Sequence, residues 1–144
     1  MNQPQIFTIS HPDEMVSVAQ SILKTFPDER IFVINGDLGS GKTTFVKGFA
    51  RALNISEDVS SPTFSIVHEY GSGKNKIYHF DLYRLKNEQD LFQIGFEEYV
   101  DSGAYVLIEW PEMAGNLLPS KRVSITFEAG NENVREIICS IENT

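Results

Sequence analysis

The chain has 144 residues and a single cysteine, so one domain with a core of its own is expected over residues 1–144, with no internal disulfide. Its formal net charge of −8 repels phosphodiester backbones, which argues against the chain holding nucleic acid unaided. No apolar run approaches the roughly 18 residues that span a bilayer, and Met1-Asn2-Gln3-Pro4-Gln5 lacks the basic and apolar regions of a secretory signal. The expected location is therefore the cytoplasm, with no membrane partner.

In chain order, a short strand is expected at Gln5 to Ile9. Ser10-His11-Pro12-Asp13-Glu14 then reads as a helix start, with a capping hydroxyl on Ser10, an early proline and acids in the first turn. Met15, Val18, Ala19, Ile22, Leu23 and Phe26 follow at helical spacing, and Pro27 ends the stripe. Ile31-Phe32-Val33-Ile34 is an apolar run with no alternation, as expected of a central strand covered on both faces.

That strand runs into Gly36-Asp37-Leu38-Gly39-Ser40-Gly41-Lys42-Thr43, a complete G-x-x-x-x-G-K-T phosphate loop. Glycines let main-chain N–H groups approach phosphate oxygens without an intervening Cβ. The helix that follows, expected over Lys42 to Leu53 with Phe45, Val46, Phe49 and Leu53 on its packing side, turns its positive end to the same place. Lys42 can then reach the outer phosphates, and the Thr43 hydroxyl can ligate Mg²⁺. The nucleotide contacts are expected from Asp37, Leu38, Gly39, Ser40, Gly41, Lys42, Thr43 and Thr44.

Ser61-Pro62-Thr63-Phe64 lies where many P-loop hydrolases carry a nucleotide-sensing segment, although a plain loop entering a strand would read the same way. Strands are expected at Phe64 to Tyr70 and Lys76 to Leu82 around the turn Gly71-Ser72-Gly73-Lys74-Asn75. Asn87 to Asp101 has a helical pattern broken at Gly95, and Ala104 to Ile108 is a second buried-strand run. Closing strands at Arg122 to Glu128 and Val134 to Ile141 flank the turn Gly130-Asn131-Glu132-Asn133. The second of these holds Cys139, read as a buried thiol acting as a small hydrophobe. The fold class is α/β: a three-layer, P-loop NTPase-like fold with a mixed, mostly parallel central sheet and antiparallel edge strands.

Two acids each follow an apolar strand: Asp81 after Ile77-Tyr78-His79-Phe80, and Glu109 after Val106-Leu107-Ile108. Each suits the carboxyl edge of a sheet beside Mg²⁺, and each also suits a solvated strand end. Glu109 together with Thr43 is the preferred metal pair. Asp81 then orients the attacking water or completes the metal shell, making Lys42 and Asp81 the catalytic candidates. Trp110 is either a core anchor or part of a contact surface. His11, His68 and His79 have no metal-ligand spacing and read as structural or surface residues. No Asn-Lys-x-Asp element is present for guanine and no arginine-rich lid is evident, so adenine is the expected base.

The segments Gly36 to Thr44, Ser61-Pro62-Thr63-Phe64, Tyr78-His79-Phe80-Asp81-Leu82-Tyr83-Arg84-Leu85, Ile108-Glu109-Trp110-Pro111-Glu112 and Leu117-Leu118-Pro119 resemble, in this order, the TsaE (YjeE) family. These are small bacterial ATPases needed to make threonylcarbamoyladenosine in tRNA. Ser40 stands where the family often has alanine. The resemblance implies that Lys42, Thr43, Asp81 and Glu109 serve phosphate, Mg²⁺ and hydrolysis of ATP, that Ser61 to Phe64 form a switch-like loop, and that Trp110 lies beside the metal. It further implies partnership with the TsaD transferase and its paralogue TsaB, with tRNA met only through that complex. A small-molecule or nucleoside kinase built on the same loop, and a module that uses ATP only to set its shape, are the competing readings.

Overall fold

A computed structural model describes residues 3–36, 41–57, 59, 66–130 and 134–143. Among the described residues seven strands form one sheet: β1 (Gln5–Ile9), β2 (Ile31–Asn35), β3 (Val67–Tyr70), β4 (Ile77–Asp81), β5 (Tyr105–Glu109), β6 (Lys121–Ala129) and β7 (Arg135–Asn143). Their spatial order is β1-β7-β6-β2-β5-β4-β3. The central pairs β6–β2, β2–β5 and β5–β4 are parallel, whereas β1–β7, β7–β6 and β3–β4 are antiparallel. A parallel centre with antiparallel margins is the expected architecture.

Helices cover both faces. On one side α1 (Met15–Thr25) and α2 (Lys42–Ala52) pack on Phe32, Ile34, Leu107, Ile125 and Phe127. On the other, α3 (Glu88–Gln93), α4 (Phe96–Val100) and a 3₁₀ segment at Pro111–Leu117 cover Ile31, Val33, Phe80, Val106 and Ile108. Adjacent residues of β2 and β5 thus feed opposite cores, which is why their sequences show no polar alternation. Phe45, Val46, Phe49 and Leu53 are all buried, as the helical spacing predicts.

The helix start differs from expectation: a 3₁₀ turn, Pro12–Glu14, leads into α1. The cap of that turn is His11 rather than the Ser10 hydroxyl: its Nδ1 accepts from the Asp13 amide at 3.2 Å, while Glu14 Oε2 accepts from the amides of Ser10 and His11 at 2.7 and 3.2 Å. The glutamate three residues on closes a capping box. The break predicted at Gly95 is present: this residue takes φ 84° between α3 and α4.

The packing of α1 on α2 sets the position of the phosphate loop's end. Gly48 lets the helices meet closely, since a Cβ there would lie 3.0 Å from the main-chain carbonyl carbon and oxygen of Met15. The Met15 methyl and the Phe127 ring also lie under Gly41, which caps α2 with φ 110°, a conformation that a side chain disfavours. Residues 37–40 and 61–64, where further site residues were expected, lie outside the described residues.

Candidate functional site

Strand alternation and register build the site. On β4, His79 and Asp81 are two residues apart and share one face. In the parallel β4–β5 pair, Asp81 lies opposite Glu109 and His79 opposite Leu107. Leu107 belongs to the core under α1 and α2, so all three polar side chains are on the face where α2 begins. Two acids 28 positions apart in sequence are thereby side by side at the carboxyl edge of the sheet.

Lys42, the first residue of α2, completes the group. Its side chain is 5% exposed, with Nζ 3.9 Å from Glu109 Oε1 and 4.1 Å from the centre of the Trp110 ring. Glu109 is 4% exposed, and its other oxygen, Oε2, is 2.5 Å from Nε2 of the fully buried His79. The glutamate therefore divides its two oxygens between an ammonium and an imidazole. Burial of a charge requires partners of this kind.

Trp110 reaches Lys42 through a backbone reversal. It has φ 57° and ψ 53°, a left-handed conformation that costs a bulky residue about 1–3 kcal/mol. The turn stops β5 directly after Glu109, and Pro111 begins the 3₁₀ segment. The indole also meets the Tyr83 ring, at 4.9 Å between ring centres. Desolvated cation–π contacts are worth about 2 kcal/mol, which offsets part of the cost of the turn.

Asp81 is half-buried. Loss of water raises its carboxyl above the ordinary 3.8; the Tyr83 amide, donating to Oδ1 at 3.1 Å, works against this, and the neighbouring Glu109 adds to it. Two adjacent carboxylates and one ammonium leave a net negative charge beside the start of α2.

The first-turn amides of a helix have no acceptor within it, and the start of α2 has no side-chain cap. Such an end suits an anion. The oxygen donors nearby, the Thr43 hydroxyl and the two carboxylates, suit a hard cation such as Mg²⁺. Among the described residues no three His, Cys, Asp or Glu side chains converge into a metal cage.

The structure thus brings Lys42, Asp81, Glu109 and Trp110 together with Gly41, Thr43 and Thr44 at the start of α2. Asp37, Leu38, Gly39, Ser40 and Ser61, Pro62, Thr63, Phe64 lie outside the described residues. His79 is the member that sequence reading left aside as structural or surface. Its signal was its place two residues before Asp81, on the same side of the strand. His11 and His68 lie elsewhere, the first as a helix cap and the second 3.1 Å from the Tyr70 hydroxyl.

The family model described as "Threonylcarbamoyl adenosine biosynthesis protein TsaE" matches residues 9–137, nearly the whole chain. The chain belongs to the TsaE family. It is 36% identical over 127 residues to the tRNA threonylcarbamoyladenosine biosynthesis protein TsaE of Bacillus subtilis, covering 88% of this chain and 79% of that one. The protein of the same name from Borreliella burgdorferi is 39% identical over 127 residues, covering 86% and 92%. Among solved structures, Bacillus subtilis YdiB superposes with a TM-score of 0.81 at 30% identity, covering 99% of this chain and 88% of that one. The TsaE fold is thus the P-loop α/β fold expected from the sequence, and the matched span contains every site residue named above.

Proposed function

We propose that the chain is a Mg²⁺-dependent ATPase of the tRNA threonylcarbamoyladenosine pathway, an accessory protein whose nucleotide cycle supports turnover by TsaD and TsaB. The observation that carries this reading is the meeting of Lys42, Asp81 and Glu109 at the start of α2, behind a complete phosphate-loop motif. Family membership supplies the pathway. The net charge of −8 favours leaving tRNA to partner proteins.

In this reading the first-turn amides of α2 and the Lys42 ammonium hold the triphosphate, with the residues of the loop at 37–40. Lys42 exchanges its contacts with Glu109 and Trp110 for phosphate oxygens. Thr43 and Glu109 hold Mg²⁺, which when bound neutralises charge on the phosphates. Asp81, the more exposed of the two acids, orients a water in line with the γ-phosphate and receives its proton as the bond to the β-phosphate's bridging oxygen breaks. Its raised pKa suits that task, because a base nearer neutrality is the better proton acceptor. Ser61 to Phe64 would sense the nucleotide, and adenine is the base. A protein that supplies one cation from its own described residues should hydrolyse ATP slowly alone and faster with partners, as other P-loop hydrolases do when a partner adds charge.

The deciding experiment is phosphate release from ATP with and without purified TsaB, TsaD and tRNA, together with the yield of modified nucleoside. The expected result is a stimulated rate and a dependence of yield on this chain. If neither quantity responds, the reading is wrong.

A further inference from the structure

The reading above gives His79 no part, yet this imidazole is the most enclosed polar group of the site. It is fully buried on the inner face of β4, with Nε2 2.5 Å from Glu109 Oε2. Its other nitrogen, Nδ1, is buried and has no hydrogen-bond partner among the described residues.

Those two facts fix how the ring is used. An ionised carboxylate only accepts hydrogen bonds, so the Nε2 side must supply the hydrogen. A hydrogen on Nδ1 would be a buried donor with no partner among the described residues, whereas a bare lone pair there is the less costly orphan. Together they place a hydrogen on Nε2, facing Glu109. One oxygen of Glu109 is then pinned to the floor of the site, and the other, Oε1, is turned to Lys42 at 3.9 Å. A glutamate has three side-chain torsions; anchoring one oxygen removes most of that freedom before any ligand arrives.

We propose that His79 is a positioning residue: through its Nε2–H bond to Glu109 it holds the carboxylate with Oε1 presented toward Lys42 and the cation place beside it. Support of a metal-binding carboxylate by a buried hydrogen-bond donor is a general requirement of precise sites, and loss of such a partner costs about 10–100-fold in metal affinity or activity. The inference rests on the nucleotide reading only for the identity of what Oε1 meets; the pinned geometry belongs to the free protein.

Two measurements test it. In the ligand-free protein, ¹⁵N NMR of the imidazole should show a proton on Nε2, with its signal displaced in a Glu109→Ala variant. A ring protonated at Nδ1 alone, or a signal indifferent to Glu109→Ala, overturns the proposal. Equilibrium binding of ADP and of a non-hydrolysable ATP analogue, each titrated with and without Mg²⁺, reads the consequence. His79→Phe keeps the ring volume and removes the donor, and should reduce the Mg²⁺-dependent gain in affinity by about 10–100-fold while leaving Mg²⁺-free binding near wild type. His79→Gln, whose amide can again donate to Oε2, should recover most of the gain. Equal loss with and without Mg²⁺, or no rescue by glutamine, overturns it. If His79→Phe does not fold, the NMR result and the glutamine variant decide. Failure of wild-type protein to bind either nucleotide would sink the ATPase reading instead, and the NMR outcome would stand apart from it.

Discussion

Asp81 and Glu109 are register partners across the parallel β4–β5 pair, and loss of water displaces the Asp81 carboxyl upward. Lys42 and His79 divide the oxygens of Glu109 between them, while Asp81 accepts from one main-chain N–H among the described residues and loses water. The two acids are thus held differently although they lie side by side.

That imbalance has a consequence for stability. A carboxyl whose pKa is higher folded than unfolded makes the native state bind more protons than the unfolded state between the two values. Stability is then fully present below the ordinary 3.8 and declines as pH rises through the raised native value. Asp81→Asn, which keeps the oxygen that accepts from Tyr83, should therefore melt higher than wild type at neutral pH. The difference should fade as pH falls below 3.8. The same variant should still bind nucleotide but lose about 10²–10⁴-fold in hydrolysis. Calorimetry across pH and a phosphate-release assay check the two halves.

Removing the Lys42 ammonium takes away a preorganised charge. Lys42→Ala should raise the barrier to hydrolysis by about 2.7–4 kcal/mol, by analogy with loss of one transition-state donor. It also leaves Glu109 buried with His79 alone, so a drop in thermal stability should accompany the kinetic loss. Wild-type turnover in this variant would contradict the placement of Lys42 at the phosphates.

Trp110 is the chain's one tryptophan and carries the Lys42 ammonium over its face. When Lys42 moves to phosphate oxygens that contact is lost, so intrinsic fluorescence should change on adding nucleotide. In Lys42→Ala the emission should already differ from wild type and should respond little to nucleotide. A titration of both proteins tests this.

The Cys139 thiol is buried, and desolvation pushes its pKa up from 9.0 to about 12. The thiolate is the reactive form, so alkylation of the native protein should be slow and governed by unfolding. Between pH 9.0 and about 12 the unfolded chain gives up this proton and the native chain keeps it, so stability falls as pH rises through that window. Denaturant titrations should show a shallower alkaline decline in Cys139→Ala than in wild type.

At Gly48 the two helices are in contact through main-chain atoms. Gly48→Ala gains up to about 1 kcal/mol of helix propensity. It also forces α1 away at Met15, an overpacking cost of about 1–3 kcal/mol. The expected net result is a loss of stability in urea titration. A shift of Gly41 should follow, because Met15 also underlies that residue.

The amino-acid sequence by itself determined the local units: the apolar run into a glycine loop, the helical stripes, the break at Gly95, and an acid at the end of each of two apolar runs. These follow from periodicity and from the restricted conformations of a few residue types, which act over several positions and are visible in one dimension. The three-dimensional arrangement decided which of those units meet. Nothing local states that β4 lies beside β5 in the register that opposes Asp81 to Glu109, or that His79 lies under Glu109. Nor does it state that Trp110 turns back through a left-handed residue to lie against Lys42. Those contacts join positions 28 to 68 residues apart, and only the packing of two cores on one twisted sheet brings them within reach. The turn that leads into α1 shows the same division on a small scale, for the sequence marks a helix start while geometry selects His11 over Ser10 as its cap.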